Sequence, residues 1–401
     1  MQTRVILILS AILICLPEVW GHDVADLHEL MAQEDYISCS LMTVAPGDEL
    51  YSAGGHMAIR MNCPTQDVDY VYEFDAVSGD SDSFAADFLN GTLKGAYQRL
   101  YTSDFLSKAE GADRAVREYN LSLTPDQEVR LWSMLDDAVD SRRLYPFTPA
   151  DYNCCSMLMW MLQSSVGNEF PSDSKGIVLP QDYGRFYIED CFSGSPWTGL
   201  LWNILLGAGF DRDKQPVNLL YPKNAPIYLS TVKNPATTEN LIAPFNESDS
   251  VFPEAPRLVF TPTALFLILL GISLLLIVPS LKGKLRLLCR IFDGLLLLST
   301  TVVGCVLWYM FFASLWNPPV YLNILLLIFN PMPIILLHFR KKKYWMAYEY
   351  IMICICIILI VGMPVFPQLR HYGLWIFLLA IVARGITQMA ADMKDKVIST
   401  K

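Results

Sequence analysis

The chain has 401 residues, of which 53% are hydrophobic and only 17% charged, with a mean hydropathy of +0.33. That is too apolar for one water-soluble globule, so much of the chain belongs in lipid. A net charge of -10, a pI near 5.0 and the lack of any Lys/Arg stripe interleaved with aromatics exclude a nucleic-acid-binding class.

In chain order, Arg4 precedes an apolar run from Val5 to Leu16, and Val19 and Gly21 have the small-residue spacing that a signal peptidase accepts. The expectation is a signal peptide over residues 1–21, cleaved after Gly21. An uncleaved anchor is the alternative, but the run is shorter than the roughly 20 residues needed to cross hydrocarbon. Charges are then frequent from His22 to Arg257, which marks residues 22–256 as a soluble domain large enough to bury its own core.

Within that domain, DELYSAGGHMAIRMNCPTQDVDYVYEFDA reads as a β-hairpin with His56 at the start of its first strand. Gly54 and Gly55 allow close approach of backbone or ligand beside an imidazole, although a lone histidine on a strand also serves simply as a structural residue. Asp69, Glu73 and Asp75 on the second strand are the candidates to orient His56, with Glu73 first. The next cluster, DYNCCSMLMWMLQSS, predicts a helix that starts at the cysteines, with Asp151 or Asn153 as cap. A thiol on the first helical turn meets the positive end of the dipole and forms thiolate more readily. Cys39, Cys63, Cys154, Cys155 and Cys191 are odd in number, so in an oxidising compartment at least one thiol lacks an intramolecular partner; the alternative for Cys154 or Cys155 is one end of a disulfide. A cysteine at a helix start and a histidine on a strand are the minimum for thiol acyl chemistry. Few histidines and no CxxC or HExxH spacing lead to an expectation of no metal. The stretch PWTGLLWNILLGAGF is apolar but too short to span; it reads either as a helix dipping into the membrane interface or as a buried helix of the soluble core.

From residue 257 to 401 an all-α transmembrane bundle of about five helices is expected, over Leu258–Val278, Ile291–Leu315, Val320–Phe339, Met346–Phe366 and Tyr372–Thr387. In the fifth, Arg384 would have to snorkel to the cytosolic end. Lys282, Lys284, Arg286 and Arg290 follow the first span and Arg340 to Lys343 the third, which places the soluble domain outside the cytosol. The third span carries Asn323, Asn330, Pro331 and Pro333 at membrane depth: a broken helix lining a polar pocket, or interhelical hydrogen bonding without further role.

The ordered set CSLMTVAPGDELYSAGGHMAIRM, VDYVYEFDA, REYNLSLTPDQEVRLWSML, LYPFTPADYNCC and SPWTGLLWNILLGAGFDRD, ahead of several spans, resembles the bacterial lipoprotein N-acyltransferase family of Bacteroidetes. Its His-first, Asn-Cys-later order is also similar to circularly permuted papain-like thiol acyltransferases, which implies an α+β papain-like (permuted) extracytoplasmic thiol domain. The resemblance carries the family histidine onto His56 and its Asn-Cys pair onto Asn153 and Cys154. It implies substrate contacts from Tyr51, Ser52, Gly55 and Arg60 of the His56 element, from Asn153, and from Trp197 and Trp202; for such a reaction, donor chains are also expected to enter between spans near Asn323 and Asn330. Cys155 stands where members often have threonine, and Glu73 where an amide is common. The implied reaction moves an acyl chain from a phospholipid donor, through a thioester on Cys154, to the α-amine of a diacylated lipoprotein, and needs no metal and no cofactor. The implied location is the bacterial cytoplasmic (inner) membrane, multi-pass, with the thiol domain in the periplasm and the lipid bilayer as partner. A thiol hydrolase of the same fold and a non-catalytic envelope receptor are the rival readings.

Overall fold

The computed structural model describes residues 37–47, 52–77, 81–148, 152–167, 185, 188–189, 192–208, 210, 221–246, 260–315, 322–339 and 342–399. The expected signal segment, Tyr51, Asp151, Cys191 and the boundary near Arg257 lie outside the described residues.

The N-terminal half is built on one antiparallel sheet in the order β5-β1-β2-β3-β4-β6. Its strands are β1 (Ser38–Val44), β2 (His56–Cys63), β3 (Val68–Ala76), β4 (Lys94–Tyr101), β5 (Val116–Asn120) and β6 (Tyr145–Pro146). The expected hairpin is the β2–β3 pair, with Ala58 opposite Glu73. Period-two alternation sorts its side chains. Met57, Ile59, Met61, Tyr72 and Phe74 are buried in one core with helices α3 (Pro125–Asp140) and α4 (Cys154–Val166). Ala58 and Val71 face the other way, against Phe105 and Ala109 of α2 (Thr102–Gly111); α1 (Ser81–Asn90) precedes β4. The N-terminus of α3 is closed by a capping box between Thr124 and Gln127.

A second core belongs mostly to the membrane half, yet it takes in Ala53, Phe88 and much of α5 (Pro196–Leu205), including Leu200, Trp202 and Leu205. The two halves therefore share buried surface. The C-terminal carbonyls of α5 are met by three polar side chains: Arg185 donates to the carbonyls of Asn203, Leu206 and Gly207 at 2.6 to 3.0 Å, Asn323 to that of Ile204 at 2.7 Å, and Gln368 to that of Asn203 at 2.9 Å. A helix end inside an apolar core needs such partners, because unmatched carbonyls there are costly. A short helix, α6 (Ala225–Leu229), packs into the sheet core.

Among the described residues four helical stretches are long and apolar enough to cross a membrane: Pro262–Leu281, Arg286–Phe312, Lys343–Val361 and Pro367–Ala391. They are formed by α7 (Pro262–Leu275) with α8 (Ile277–Leu281), by α9 (Arg286–Phe312), by α11 (Lys342–Val361), and by α12 (Pro367–Arg370) with α13 (Leu374–Ser399). The expected third span is broken: a 3-10 turn, Ile324–Leu327, leads into the short α10 (Met332–Phe339), and neither piece is long enough to cross by itself. Asn330 sits at the break and donates to the carbonyls of Leu327 and Ile328 while accepting from the Met332 amide. Two prolines and an asparagine end the helix, and the side-chain amide supplies the hydrogen bonds that the interrupted backbone lacks. Gly304 of α9 allows the break to dock: a Cβ there would stand 2.4 Å from the Asn330 backbone nitrogen. Gly304→Ala is therefore expected to lower stability by about 2 kcal/mol, against the roughly 1 kcal/mol gain usual for Gly to Ala inside a helix. The unfolding midpoint in detergent measures the sign.

Arg384 does not snorkel. It is 3% exposed and holds Asp293 through two hydrogen bonds of 2.6 and 2.9 Å, with Ser280 at 3.2 Å. Pairing inside the bundle replaces solvation at its end. These groups lie toward the basic loops, whereas Asn90 meets Tyr309 and the Leu315 amide at the opposite end, so the sheet domain sits on the side away from those loops.

Candidate active site

Cys154 is the first residue of α4. Asn153 caps the helix: its side-chain oxygen accepts from the amides of Cys155 and Ser156, both at 2.9 Å, and Ser156 Oγ accepts from the Asn153 amide at 2.9 Å. Asn153 thus fixes the thiol on the first turn, and the cap takes up the second and third amides of the helix but not that of Cys154. Cys155, one residue on, points into the sheet core and is 1% exposed. The fold brings Cys154, and not Cys155, to the histidine.

His56 reaches its position through the turn before β2. Gly55 has φ +83, and a Cβ there would lie 2.9 Å from the Val44 carbonyl and 3.3 Å from Pro222, so only glycine fits. Its amide and that of Gly47 both donate to the Ser52 carbonyl, which makes Ser52 a turn residue whose backbone shapes the approach to His56. His56 Nε2 is 2.8 Å from Glu73 Oε2. That leaves Nδ1 as the ring nitrogen for the hydrogen bond between His56 and Cys154. Glu73 is 1% exposed, and Lys108 of α2 stands 3.8 Å from its other oxygen and 3.9 Å from Asp75.

The electrostatics favour an ion pair. A hydrogen bond from the Cys155 side chain is the largest influence on Cys154; burial opposes it, and the His56 charge, the His56 hydrogen bond and the Met57 backbone amide add to it, holding the thiol well below its ordinary pKa. Burial works against the imidazolium of His56, but the negative Cys154, the hydrogen bonds to Cys154 and Glu73, and the charge of Asp75 outweigh it and raise His56 well above its ordinary value. Burial alone would lift Glu73; the hydrogen bond and charge of His56, with Lys108, bring it below the usual carboxylate value instead. Asp75 is pushed up, first by burial and then by Glu73. Sequence reasoning could not find Met57 or Lys108, since one acts through its backbone and the other comes from a helix that folds over the sheet.

His56, Glu73 and Asp75 offer three ligand atoms within 4.8 Å of one another, the one such group among the described residues. The sequence expectation of no metal rested on missing spaced motifs, and this group arises from strand pairing rather than spacing. With Nε2 given to Glu73 and Nδ1 to the thiol, His56 keeps no lone pair for an ion while the thiol pair is intact.

Other expected contacts fall elsewhere. Arg60 lies four residues along β2, about 13 Å from His56 at strand spacing. Its guanidinium is bidentate to Asp69 at 2.7 and 2.8 Å and reaches Glu118 at 3.0 Å. Asp69 is therefore the partner of Arg60 and not an orienter of His56. Trp197 is exposed and donates to the Phe260 carbonyl at 2.7 Å, whereas Trp202 is buried edge-on to Phe88, so α5 links the two halves with one face buried and Trp197 and Leu201 on the other. Asn330 serves the helix break within the membrane half, with Tyr348 at 3.4 Å, and makes no bond to the Cys154 group. The turn that delivers His56 does border the membrane core: Ala53 is part of it, and Gly54 lies against Phe192 and Tyr221.

Neither curated proteins nor solved structures gave a match to the chain. Two family models did: the Lnb N-terminal periplasmic domain matches residues 29–183, and the Lnb transmembrane domain matches residues 254–396. Matched in this order, the two domains make the chain a membrane protein of the Lnb-type family, with a periplasmic N-terminal domain followed by a transmembrane domain.

Proposed function

We propose that the protein is a thiol-dependent lipoprotein N-acyltransferase of the bacterial inner membrane, with Cys154 as nucleophile, His56 as acid and base, and Glu73 as orienter. The observation that carries the reading is the Cys154 thiol on a helix start, hydrogen-bonded to a histidine that is itself 2.8 Å from a buried carboxylate. Its place beside the membrane core suits a substrate whose ester lies at the lipid surface.

In the first half-reaction the Cys154 thiolate attacks an acyl ester carbonyl of a phospholipid. The Met57 amide donates to the Cys154 sulfur and steadies the thiolate before attack, the helix N-terminus stabilises the charge that develops on the carbonyl oxygen, and protonated His56 gives its proton to the departing alkoxide, leaving a thioester and a lysophospholipid. In the second, the free α-amine of a diacylglyceryl-cysteine attacks the thioester, neutral His56 takes the amine proton, and thiolate leaves as the amide forms.

Intact-protein mass spectrometry after incubation with phospholipid, without acceptor, is expected to show one hydroxylamine-sensitive acyl group mapping to Cys154. Absence of acylation in folded protein, with Cys154 in a disulfide, would overturn the catalytic reading in favour of an envelope receptor. Adding a diacylated lipopeptide then separates transferase from hydrolase by product: N-acylated peptide, or free fatty acid.

A further inference from the structure

Helix α5 contains no charged residue, and its two faces differ. Gly199, Leu200, Trp202, Asn203 and Leu205 are buried, whereas Trp197 and Leu201 are 41% and 37% exposed and Ile204 is half-buried. Residues 197, 201 and 204 fall on one helical stripe. On a helix that faces water such a stripe is normally polar; this one presents an indole and two aliphatic side chains.

Phe260 joins the stripe to the bundle. It is 52% exposed, its ring stacks on that of Trp197 at 6.2 Å, and it stands two residues before α7, the first helix of the bundle. Leu267, Ile268, Leu274 and Leu275 of α7 are exposed, and on a spanning helix such side chains face lipid. Lys282 and Lys284 lie at the far end of this span, so the stripe is on the periplasmic side.

Hydrogen bonding sets the depth. Trp197 Nε1 donates to the Phe260 carbonyl at 2.7 Å, and Thr261 Oγ1 accepts from the Ala264 amide at 3.2 Å. The indole N–H and the carbonyl ahead of the span are therefore matched within the protein, as a place poor in water requires. What the pair turns outward is ring carbon. On the inner side, a Cβ at Gly199 would stand 3.1 Å from Phe192 Cβ, and a Cβ at Gly54, two residues before His56, would stand 3.5 Å from the Phe192 ring. What holds α5 at the membrane thus also holds the turn that delivers His56.

We propose that Trp197, Leu201 and Phe260 form an interfacial anchor, seated among the upper acyl chains of the periplasmic leaflet. The anchor needs no chemistry at Cys154, so it stands or falls apart from the acyl-transfer reading.

Quenching of tryptophan emission from the full chain in phosphatidylcholine vesicles tests it, the difference between the unaltered chain and Trp197→Phe isolating this one indole. Lipid brominated high in its acyl chains is expected to remove most of that difference emission, while lipid brominated at the chain ends and iodide in the water remove little. Leu201→Trp, which adds a reporter one turn along, should show the same order. If iodide takes the signal instead, the stripe faces water; if chain-end bromine takes it, the stripe lies at mid-membrane; if none of the three does, protein covers it. Each of these outcomes overturns the proposal. If Trp197→Phe fails to fold, the added emission of Leu201→Trp decides by the same criteria.

Discussion

Cys154→Ala is expected to abolish the acyl-enzyme and to lower lipoprotein acylation by about a thousandfold or more, since removal of a nucleophile leaves only what binding and positioning contribute. Because Cys154 is half-buried and the helix cap is made by Asn153 and Ser156, the unfolding free energy should change by no more than about 1 kcal/mol. Cys155→Ala inverts the balance. It removes a side chain that is 1% exposed in the sheet core, and with it the largest influence that lowers the Cys154 pKa. Stability should fall by roughly 1 kcal/mol, activity by only about tenfold, and the acid limb of the rate profile should move to higher pH. Acylation of single-cysteine variants, read beside their unfolding midpoints, tests the pattern. A receptor in which both cysteines are structural requires stability losses at either position and acyl chemistry at neither.

The second large effect is at Glu73 and shows in the pH dependence. The reactive ion pair exists above the lowered pKa of Cys154 and below the raised pKa of His56. First-step activity therefore rises with pH through the first value, and falls through the second as His56 loses the proton it must give to the leaving alcohol, producing a bell. Glu73→Gln keeps an oxygen that accepts the Nε2 proton but turns the charge-assisted hydrogen bond that helps to raise His56 into a weaker neutral one. The expected outcome is a loss of about tenfold at the optimum with the alkaline limb shifted to lower pH. Glu73→Ala removes acceptor and charge together and should cost about 10² to 10³-fold. An alkaline limb unmoved in Glu73→Gln would mean that Glu73 fills space beneath the histidine and does not govern its charge. An amide is common at this position in the family that the sequence resembles, so a partly active glutamine variant is in keeping with the orienting role.

Much of this protein is legible in the chain itself. The hydropathy step near residue 257, the loop lysines and arginines, and the hairpin around His56 rest on local pattern: period-two alternation, runs of apolar residues, and charge on one side of the membrane. Cys154 at a helix start was also local, because Asn153 and Ser156 cap within three residues. Three things were decided only by tertiary structure. The first is the pairing of His56 with Glu73 and not Asp69, which depends on strand register and on Asp69 meeting Arg60. The second is which thiol meets His56: the resemblance points to Cys154, but only the way α4 turns the two side chains sets Cys154 beside His56 and Cys155 in the core. The third is the membrane half. Composition sees that the third apolar stretch carries Asn330 and two prolines, but not that Gly304 lets the break dock, nor that Arg384 finds Asp293 from 91 residues away. Sequence patterns report what each residue can tolerate locally; a buried amide or guanidinium is tolerated only if a distant partner arrives, and only the packed chain supplies that partner.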